Sequence, residues 1–309
     1  MKKNGLGSIL LYNVFSSIAS NIGYAVLNVY LFKQGFSILQ LLIMNLIWFV
    51  TPVVVIPFLR RHRTRRLMVL SRLLVIIPLI IVLGNVSSFG LYSIGFFTGL
   101  GLVFGALQFN MRFFNFSNKH NRARYSYLYF NLGPIVNLAT PALAGVIAAT
   151  LGMSYNLLIS IALFLVAMMI ISRMQEVVVK ADVQQSFSKI RKLRTILFLE
   201  GVWGTTSFVL IPLFTLQFIK EELAYGAFFS YLMIFGFLGT YIVSHLSDKY
   251  KKRTIFMYPL SLCLAITTIA LGFSRSLVTW AVITPIFGFL LRFMYPLTTT
   301  VYLDATKNV

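Results

Sequence analysis

The sequence predicts an all-α membrane protein, a bundle of about ten transmembrane helices in two pseudo-symmetric halves. Apolar residues make up 58% of the 309-residue chain and charged residues only 11%, whereas soluble domains carry roughly 25% charged residues. The apolar residues lie in runs of about 20, the length that crosses a bilayer. A basic loop between two such runs also occurs twice, which indicates an internal repeat.

Ten apolar runs of transmembrane length follow one another along the chain. They cover residues 8–31, 38–59, 67–84, 89–112, 125–150, 154–172, 195–218, 224–246, 254–273 and 277–301. The first run is longer than the apolar core of a signal peptide, which has about 7 to 15 residues. We therefore interpret it as a helix that the protein retains.

The basic residues predict the orientation in the membrane. With the N terminus in the cytoplasm, the opposite side of the membrane holds only Lys33, Lys220 and Arg275 among the lysines and arginines of the loops. This asymmetry follows the positive-inside rule. We expect a multi-pass protein of the cell (plasma or inner) membrane, present as a monomer, whose cytoplasmic loops contact anionic lipids.

The repeat predicts how the chain is divided. Aligning Arg66 with Arg253 gives an offset of 187 residues, and the same offset places Gly101 on Gly288. We expect a six-helix half at 1–172, a cytoplasmic linker at 173–194 and a four-helix half at 195–309. A second half that matched the first would continue for two further helices, so we expect the chain to be part of a twelve-helix protein.

The second basic loop carries a family resemblance. Asp248-Lys249-x-Lys251-Lys252-Arg253 resembles the loop motif Asp-Arg-x-Gly-Arg-Arg of the major facilitator superfamily, with Lys251 in place of the motif glycine. In the first copy, Arg61 stands where the motif has aspartate. The resemblance implies a secondary transporter that works by alternating access, with helices 1, 4, 7 and 10 around a central cavity. It also implies a gating role for the loop residues, which here are Asp248, Lys249, Arg253, Arg65 and Arg66.

Polar side chains at helical spacing in the same four runs support a cavity independently. A polar stripe that faced lipid would be unfavourable, so these side chains should point into the protein or line water. The candidates for binding a substrate are Asn13, Asn21, Tyr24, Gln108, Arg112, Trp203, Arg292 and Tyr295. The alternative is that polar stripes only hold helices together. Arg112 has the further alternative of extending to the cytoplasmic headgroups, and Trp203 that of packing or anchoring.

Glu200 is the candidate for proton coupling, because it is the only acidic residue inside a predicted span and ionisable groups within a membrane are usually functional. Arg292 should lie at a comparable depth, so we expect the two to form a pair. The alternative for Glu200 is an interfacial ion pair with Arg191 or Arg194.

The sequence also excludes several classes of function. The three histidines lie in or beside loops without a second ligand at metal spacing, and no GxxxxGK[ST] phosphate loop is present. We therefore predict no catalytic residues, no metal and no cofactor. The net charge of +20 is spread over separate loops and so does not indicate nucleic-acid binding.

Two functional interpretations remain. The first is a secondary transporter of a small solute, including proton-coupled efflux. The second is a polytopic membrane protein without transport activity, such as a lipid-handling protein, a scaffold or an inactive transporter remnant.

Overall fold

The computed structural model describes residues 3–59, 61–116, 122–180, 194–249 and 254–307. In these ranges the chain is almost entirely helical. The helices are α1 (Lys3–Tyr24), α2 (Leu27–Lys33), α3 (Ile38–Val55), α4 (Thr64–Leu83), α5 (Ser88–Phe116), α6 (Arg122–Thr150), α7 (Met153–Ser172), α8 (Arg194–Thr205), α9 (Ile211–Thr215), α10 (Glu222–Lys249), α11 (Thr254–Gly272) and α12 (Leu277–Lys307). A 3₁₀ turn (Ile56–Phe58) follows α3, and a π-helical turn (Thr206–Leu210) joins α8 to α9.

Each of the ten predicted spans coincides with a helix or with two consecutive helices. Among the described residues, eight helical segments are long and apolar enough to cross a membrane. Two more apolar segments, Ile135–Thr150 of α6 and Met257–Gly272 of α11, are shorter. The predicted fold class is therefore confirmed.

The chain forms two compact units. Unit 1 comprises Met1–Val183 and Glu221–Gly226, and unit 2 comprises Gln184–Lys220 and Ala227–Val309. The first turn of α10 thus belongs to unit 1 and the rest of that helix to unit 2. The predicted linker at 173–194 stays a prediction, because residues 181–193 lie outside the described ranges.

In unit 1, α4 packs on α5 and α7, and α1 packs on α6 and α7. The first transmembrane segment is not one continuous helix, because it is interrupted at Ala25 and Val26, between α1 and α2. A side chain of α7 explains this break. The side-chain amide of Asn156 in α7 donates to the carbonyl oxygen of Ile22 at 2.7 Å, the acceptor that an α-helix would offer to the amide of residue 26. A side chain that inserts into the backbone ladder is a recognised cause of a helix break.

The described chain also contains a two-stranded antiparallel sheet, formed by β1 (Arg61–Arg63) and β2 (Val178–Lys180). Its register pairs Arg61 with Lys180 and Arg63 with Val178. The first residues of the predicted linker are thus hydrogen-bonded to the loop that follows α3. This pairing places the segment after α7 beside the start of α4.

In unit 2, α11 packs on α12 around a cluster of buried apolar residues that includes Trp280 and Phe287. The indole of Trp280 is 3% exposed, and its Nε1 donates to the hydroxyl of Thr215 at 2.9 Å. A buried indole N–H needs such an acceptor. This bond fixes the end of α9 against α12.

Candidate functional site

A group of polar side chains on α8 and α12 forms the candidate site of unit 2. Arg292, Tyr295 and Thr298 are three residues apart and therefore share one face of α12. The Thr298 hydroxyl lies 3.3 Å from Glu200 Oε1, to which it donates, and 3.0 Å from the carbonyl oxygen of Tyr295. We call Glu200, Gly204, Arg292, Tyr295 and Thr298 the Glu200 cluster.

Tyr295 lies at the centre of the Glu200 cluster. A Cβ atom at Gly204 would be 3.4 Å from the Tyr295 hydroxyl, so the phenol packs close to the backbone of α8 where the glycine leaves room. The phenol is within electrostatic range of both Arg292 and Glu200. Tyr295 therefore lies near both the cationic and the anionic member of the cluster.

The predicted direct pair between Glu200 and Arg292 is wrong. The ion pairs formed between described residues do not include one between these two side chains. The aliphatic part of Arg292 lies against α10, where a Cβ at Gly236 would be 3.2 Å from Arg292 Cγ. Arg292 therefore extends along this glycine, and it forms no direct ion pair with Glu200.

A local irregularity follows the Glu200 cluster on the same segment. The π-helical turn Thr206–Leu210 begins two residues after Gly204, and α9 then starts with Pro212 in its first turn. Proline has no N–H to donate to the preceding turn, which is consistent with a change of hydrogen-bond register here. Such π-turns occur frequently at functional sites.

Trp203 is not available for a substrate. It is 6% exposed and belongs to the apolar core of unit 2, together with Met257, Leu264 and Leu291. Its neighbour Gly204 faces the Glu200 cluster, whereas the indole packs into the core. We therefore correct the prediction that Trp203 lines a cavity.

In unit 1, Asn21 forms a pair that the sequence analysis missed. Its side-chain amide donates to Oδ1 of Asn137 in α6 at 2.6 Å and to the carbonyl oxygen of Ser17 at 2.8 Å. Both asparagines are partly exposed. The sequence signal that could have identified Asn137 is an amide side chain in the middle of an apolar helix.

The other two candidates on α1 differ from each other. The hydroxyl of Tyr24 donates to the carbonyl oxygen of Val75 in α4 at 2.7 Å, so Tyr24 joins two helices and its polar atom is already occupied. Asn13 is partly exposed, and its side chain makes no hydrogen bond to the described part of the chain. Asn13 thus keeps its binding groups available, and Tyr24 does not.

Gln108 is fully buried, with 0% exposure. Neither its amide nitrogen nor its amide oxygen has a hydrogen-bond partner in the described part of the chain. A buried amide without partners is unfavourable by about 1–3 kcal/mol. Gln108 therefore keeps hydrogen-bonding capacity in the interior of unit 1.

Arg112 is neither a free cation for a substrate nor a side chain that extends to the headgroups. It is 3% exposed, and its guanidinium donates to Thr64 Oγ1 and to the carbonyl oxygen of Gln175, both at 2.8 Å. Its Nη2 also lies 3.9 Å from Oε1 of Glu176. Arg112 binds the segment after α7, which corrects both earlier interpretations.

Glu176 is the second residue that the sequence analysis missed. Its Oε1 accepts the backbone N–H of Arg65 at 2.8 Å, and its Oε2 lies 3.6 Å from Arg65 Nε. The sequence contained a signal for these contacts, because Glu176 is the first acidic residue of a chain whose early loops are rich in arginine. We call Arg65, Arg112 and Glu176 the Glu176 network.

The remaining residues of the predicted gating motif are only partly described. Arg66 is exposed at the start of α4. Asp248 and Lys249 are the last two residues of α10, and Arg253 lies outside the described residues. A gating role for these positions stays a prediction.

Three solved structures resemble the chain. A bacterial homologue of the iron transporter ferroportin in an inward-facing state has a TM-score of 0.64 and 13% identity, over 97% of this chain and 84% of that chain. A POT family transporter in complex with 5-aminolevulinic acid has a TM-score of 0.64 and 12% identity, over 94% and 82% of the two chains. A mutant of the nucleoside transporter NupG has a TM-score of 0.67 and 12% identity, over 96% and 82%.

Neither a protein-family model nor a curated protein matches the sequence. At 12–13% identity, the likeness to solved structures concerns the fold. The chain therefore has an all-α, multi-pass membrane fold that it shares with solved transporters.

Proposed function

We propose that this protein is a secondary transporter of the major facilitator type, which moves a small polar solute by alternating access and couples its movement to protons at Glu200. The fold shared with solved transporters supports the general function. The Glu200 cluster is the observation that carries the proposal, because it places a carboxylate, a guanidinium, a phenol and a hydroxyl together on two helices of predicted membrane spans. Ionisable groups inside a membrane are costly and are usually retained for function.

The cluster offers a simple way to couple a proton to the position of a helix. When Glu200 is ionised, it accepts a hydrogen bond from the hydroxyl of Thr298 and acts electrostatically on Tyr295. When Glu200 is protonated, its charge is lost and it becomes a hydrogen-bond donor as well as an acceptor. The contact between α8 and α12 then changes, and the π-helical turn beyond Gly204 provides a place where the backbone can adjust.

The solute would be recognised by hydrogen bonds and by one cation. In unit 2, Arg292 suits an anionic group of the solute, with Tyr295 beside it. Taken by itself, unit 1 contains the amides of Asn13, Asn21 and Gln108, and neither polar atom of the Gln108 amide has a hydrogen-bond partner among the described residues. These groups fit a small polar or zwitterionic solute better than an apolar one.

Unit 1 also contains ion pairs at its two ends that could open and close. At the end of α2, Lys33 Nζ lies 2.8 Å from Glu222 Oε2 and 3.5 Å from Glu221 Oε2. The Lys33 side chain is 42% exposed, and exposed pairs contribute only about 0–1 kcal/mol, so this contact is easily broken. The Glu176 network lies at the other end of unit 1, where α4 begins.

A solute screen followed by reconstitution tests the transport proposal. The solutes named for the solved neighbours give the first panel: iron, 5-aminolevulinic acid and nucleosides. A solute that binds the folded state at a concentration of 100 times its Kd should stabilise the protein by about 2.7 kcal/mol, which thermal unfolding detects.

The same solute should then enter proteoliposomes that contain the protein faster than it enters empty liposomes. An imposed proton gradient should change the rate of entry. If a solute stabilises the protein but enters both kinds of liposome at the same rate, the protein binds it without transport and the proposal is wrong.

A further inference from the structure

A groove on the surface of unit 1 runs along the start of α4 beside the end of α7. Its volume is about 390 Å³, and it is lined by Arg65, Arg66, Val69, Leu70, Leu73 and Ser172. We call these six residues the α4 groove. A volume of this size lies within the range of about 300–1,000 Å³ found for small-molecule sites.

The α4 groove changes from charged to apolar along the helix. Arg66, Leu70 and Leu73 follow one another at spacings of four and three residues and therefore form one stripe. Seven residues of α-helix span about 10 Å, so the apolar part extends from the arginines into the predicted membrane span. Leu70 and Leu73 are 40% and 44% exposed, so both keep apolar surface open to a ligand.

The charges around the α4 groove are mostly positive. Arg63, Arg66 and Arg173 are exposed at or next to its lining residues. Among the described acidic residues, Glu176 contacts this region, through Arg65. Arg65 is thus partly neutralised. Arg66 forms no ion pair with any residue that the structure describes, so its guanidinium is available to an anion.

We propose that the α4 groove binds an anionic phospholipid of the surrounding leaflet. Arg66 and, in part, Arg65 contact the phosphate, and the upper part of one acyl chain lies along Leu70 and Leu73. The ligand must be amphiphilic, because a cationic end and an apolar stripe lie in one continuous groove. It must carry net negative charge, because the exposed arginines exceed the acidic groups beside them. Basic pockets at the ends of transmembrane helices bind anionic lipid headgroups in this way.

Native mass spectrometry of the purified protein with added phosphatidylglycerol tests this site. Arg66→Gln should weaken lipid binding about fivefold, as expected for the loss of one cation near an anionic headgroup. Arg66→Lys, which keeps the charge, should restore binding. Arg275→Gln removes an exposed arginine from the loop between α11 and α12, and we expect it to bind lipid like the wild type.

A second variant tests the apolar part of the groove. Leu73→Trp should fill it and reduce binding, whereas Leu262→Trp changes an exposed leucine of α11 (63% exposed) and should not. A photoreactive phosphatidylglycerol should crosslink to peptides containing Leu70 or Ser172. Thermal unfolding and gel filtration should show that all variants remain folded.

Three outcomes would overturn the proposal. The first is that folded Arg66→Gln and Leu73→Trp variants bind phosphatidylglycerol as well as the wild type does. The second is that phosphatidylcholine binds as tightly as phosphatidylglycerol, because negative charge is then not recognised. The third is that glycerol 3-phosphate competes as well as the lipid does, because the apolar stripe then does not contribute.

Discussion

Replacement of Glu176 by glutamine should destabilise the start of α4, because its carboxylate contacts two arginines of unit 1. Oε1 accepts the backbone N–H of Arg65 at 2.8 Å and lies 3.9 Å from Nη2 of Arg112, while Oε2 lies 3.6 Å from Arg65 Nε. Glutamine keeps the size and can keep the bond to the backbone. The substitution therefore removes mainly the negative charge.

The expected magnitude follows from the burial of the partners. Loss of one member of a buried ion pair costs about 3–5 kcal/mol, and an exposed pair contributes about 0–1 kcal/mol. The side chain of Arg112 is 4% exposed and that of Glu176 21%, but Arg112 keeps its bonds to Thr64 and Gln175. We therefore expect a loss of about 2 kcal/mol, between the two limits, which corresponds to a fall in Tm of about 5 °C.

The assay is thermal unfolding of the purified protein in detergent, followed by tryptophan fluorescence. Glu221→Gln is the matched control, since its side chain is 75% exposed and its loss should cost less than about 1 kcal/mol. A double-mutant cycle with Arg112→Gln should give a coupling energy of about 1 kcal/mol. Strict additivity, or a Glu176→Gln variant as stable as the wild type, would show that Glu176 does not hold Arg112.

Three further predictions follow from the packing. Gln108→Leu removes two buried polar atoms that have no partner among the described residues. It should raise stability by about 1–3 kcal/mol in thermal unfolding and lower the uptake of any solute that Gln108 binds. Lower stability would contradict the burial of an unpaired amide. Gly145→Ala places a Cβ 2.6 Å from the carbonyl oxygen of Glu222 and should lower the free energy of unfolding by about 1–3 kcal/mol. The control Gly133→Ala, on the same helix, meets no atom within 4 Å and should raise it by up to about 1 kcal/mol. Equal effects of the two substitutions would refute this packing. Trp280→Phe loses the bond to Thr215 and should cost about 1–2 kcal/mol in the same assay, and an unchanged Tm would contradict it.

The transmembrane segments were predictable from the sequence, because the length of an apolar run is set by the bilayer and needs no knowledge of neighbouring helices. The break between α1 and α2 was not, because it depends on Asn156, which lies 134 residues from its acceptor Ile22. The same holds for Glu176, which lies 111 residues from Arg65. Contacts of this kind are set by helix packing and leave no periodic pattern.

The candidate site was predictable in part. Glu200 and Arg292 stood out because an ionisable residue in an apolar run is rare. The sequence could not show that Arg292 extends along Gly236 or that Tyr295 lies near both charged groups. The prediction that Trp203 lines a cavity failed because an aromatic residue beside a polar face packs as readily into a core as into a cavity.

The most direct test of the central claim is proton-driven transport by Glu200→Gln in proteoliposomes, measured with a solute that stabilises the wild type. The substitution keeps an acceptor for Thr298 but cannot change charge, so we predict that a proton gradient no longer drives accumulation. Arg275→Gln, which changes an exposed residue in the loop between α11 and α12, should transport like the wild type. Accumulation by Glu200→Gln at the wild-type rate would contradict a coupling role for this carboxylate.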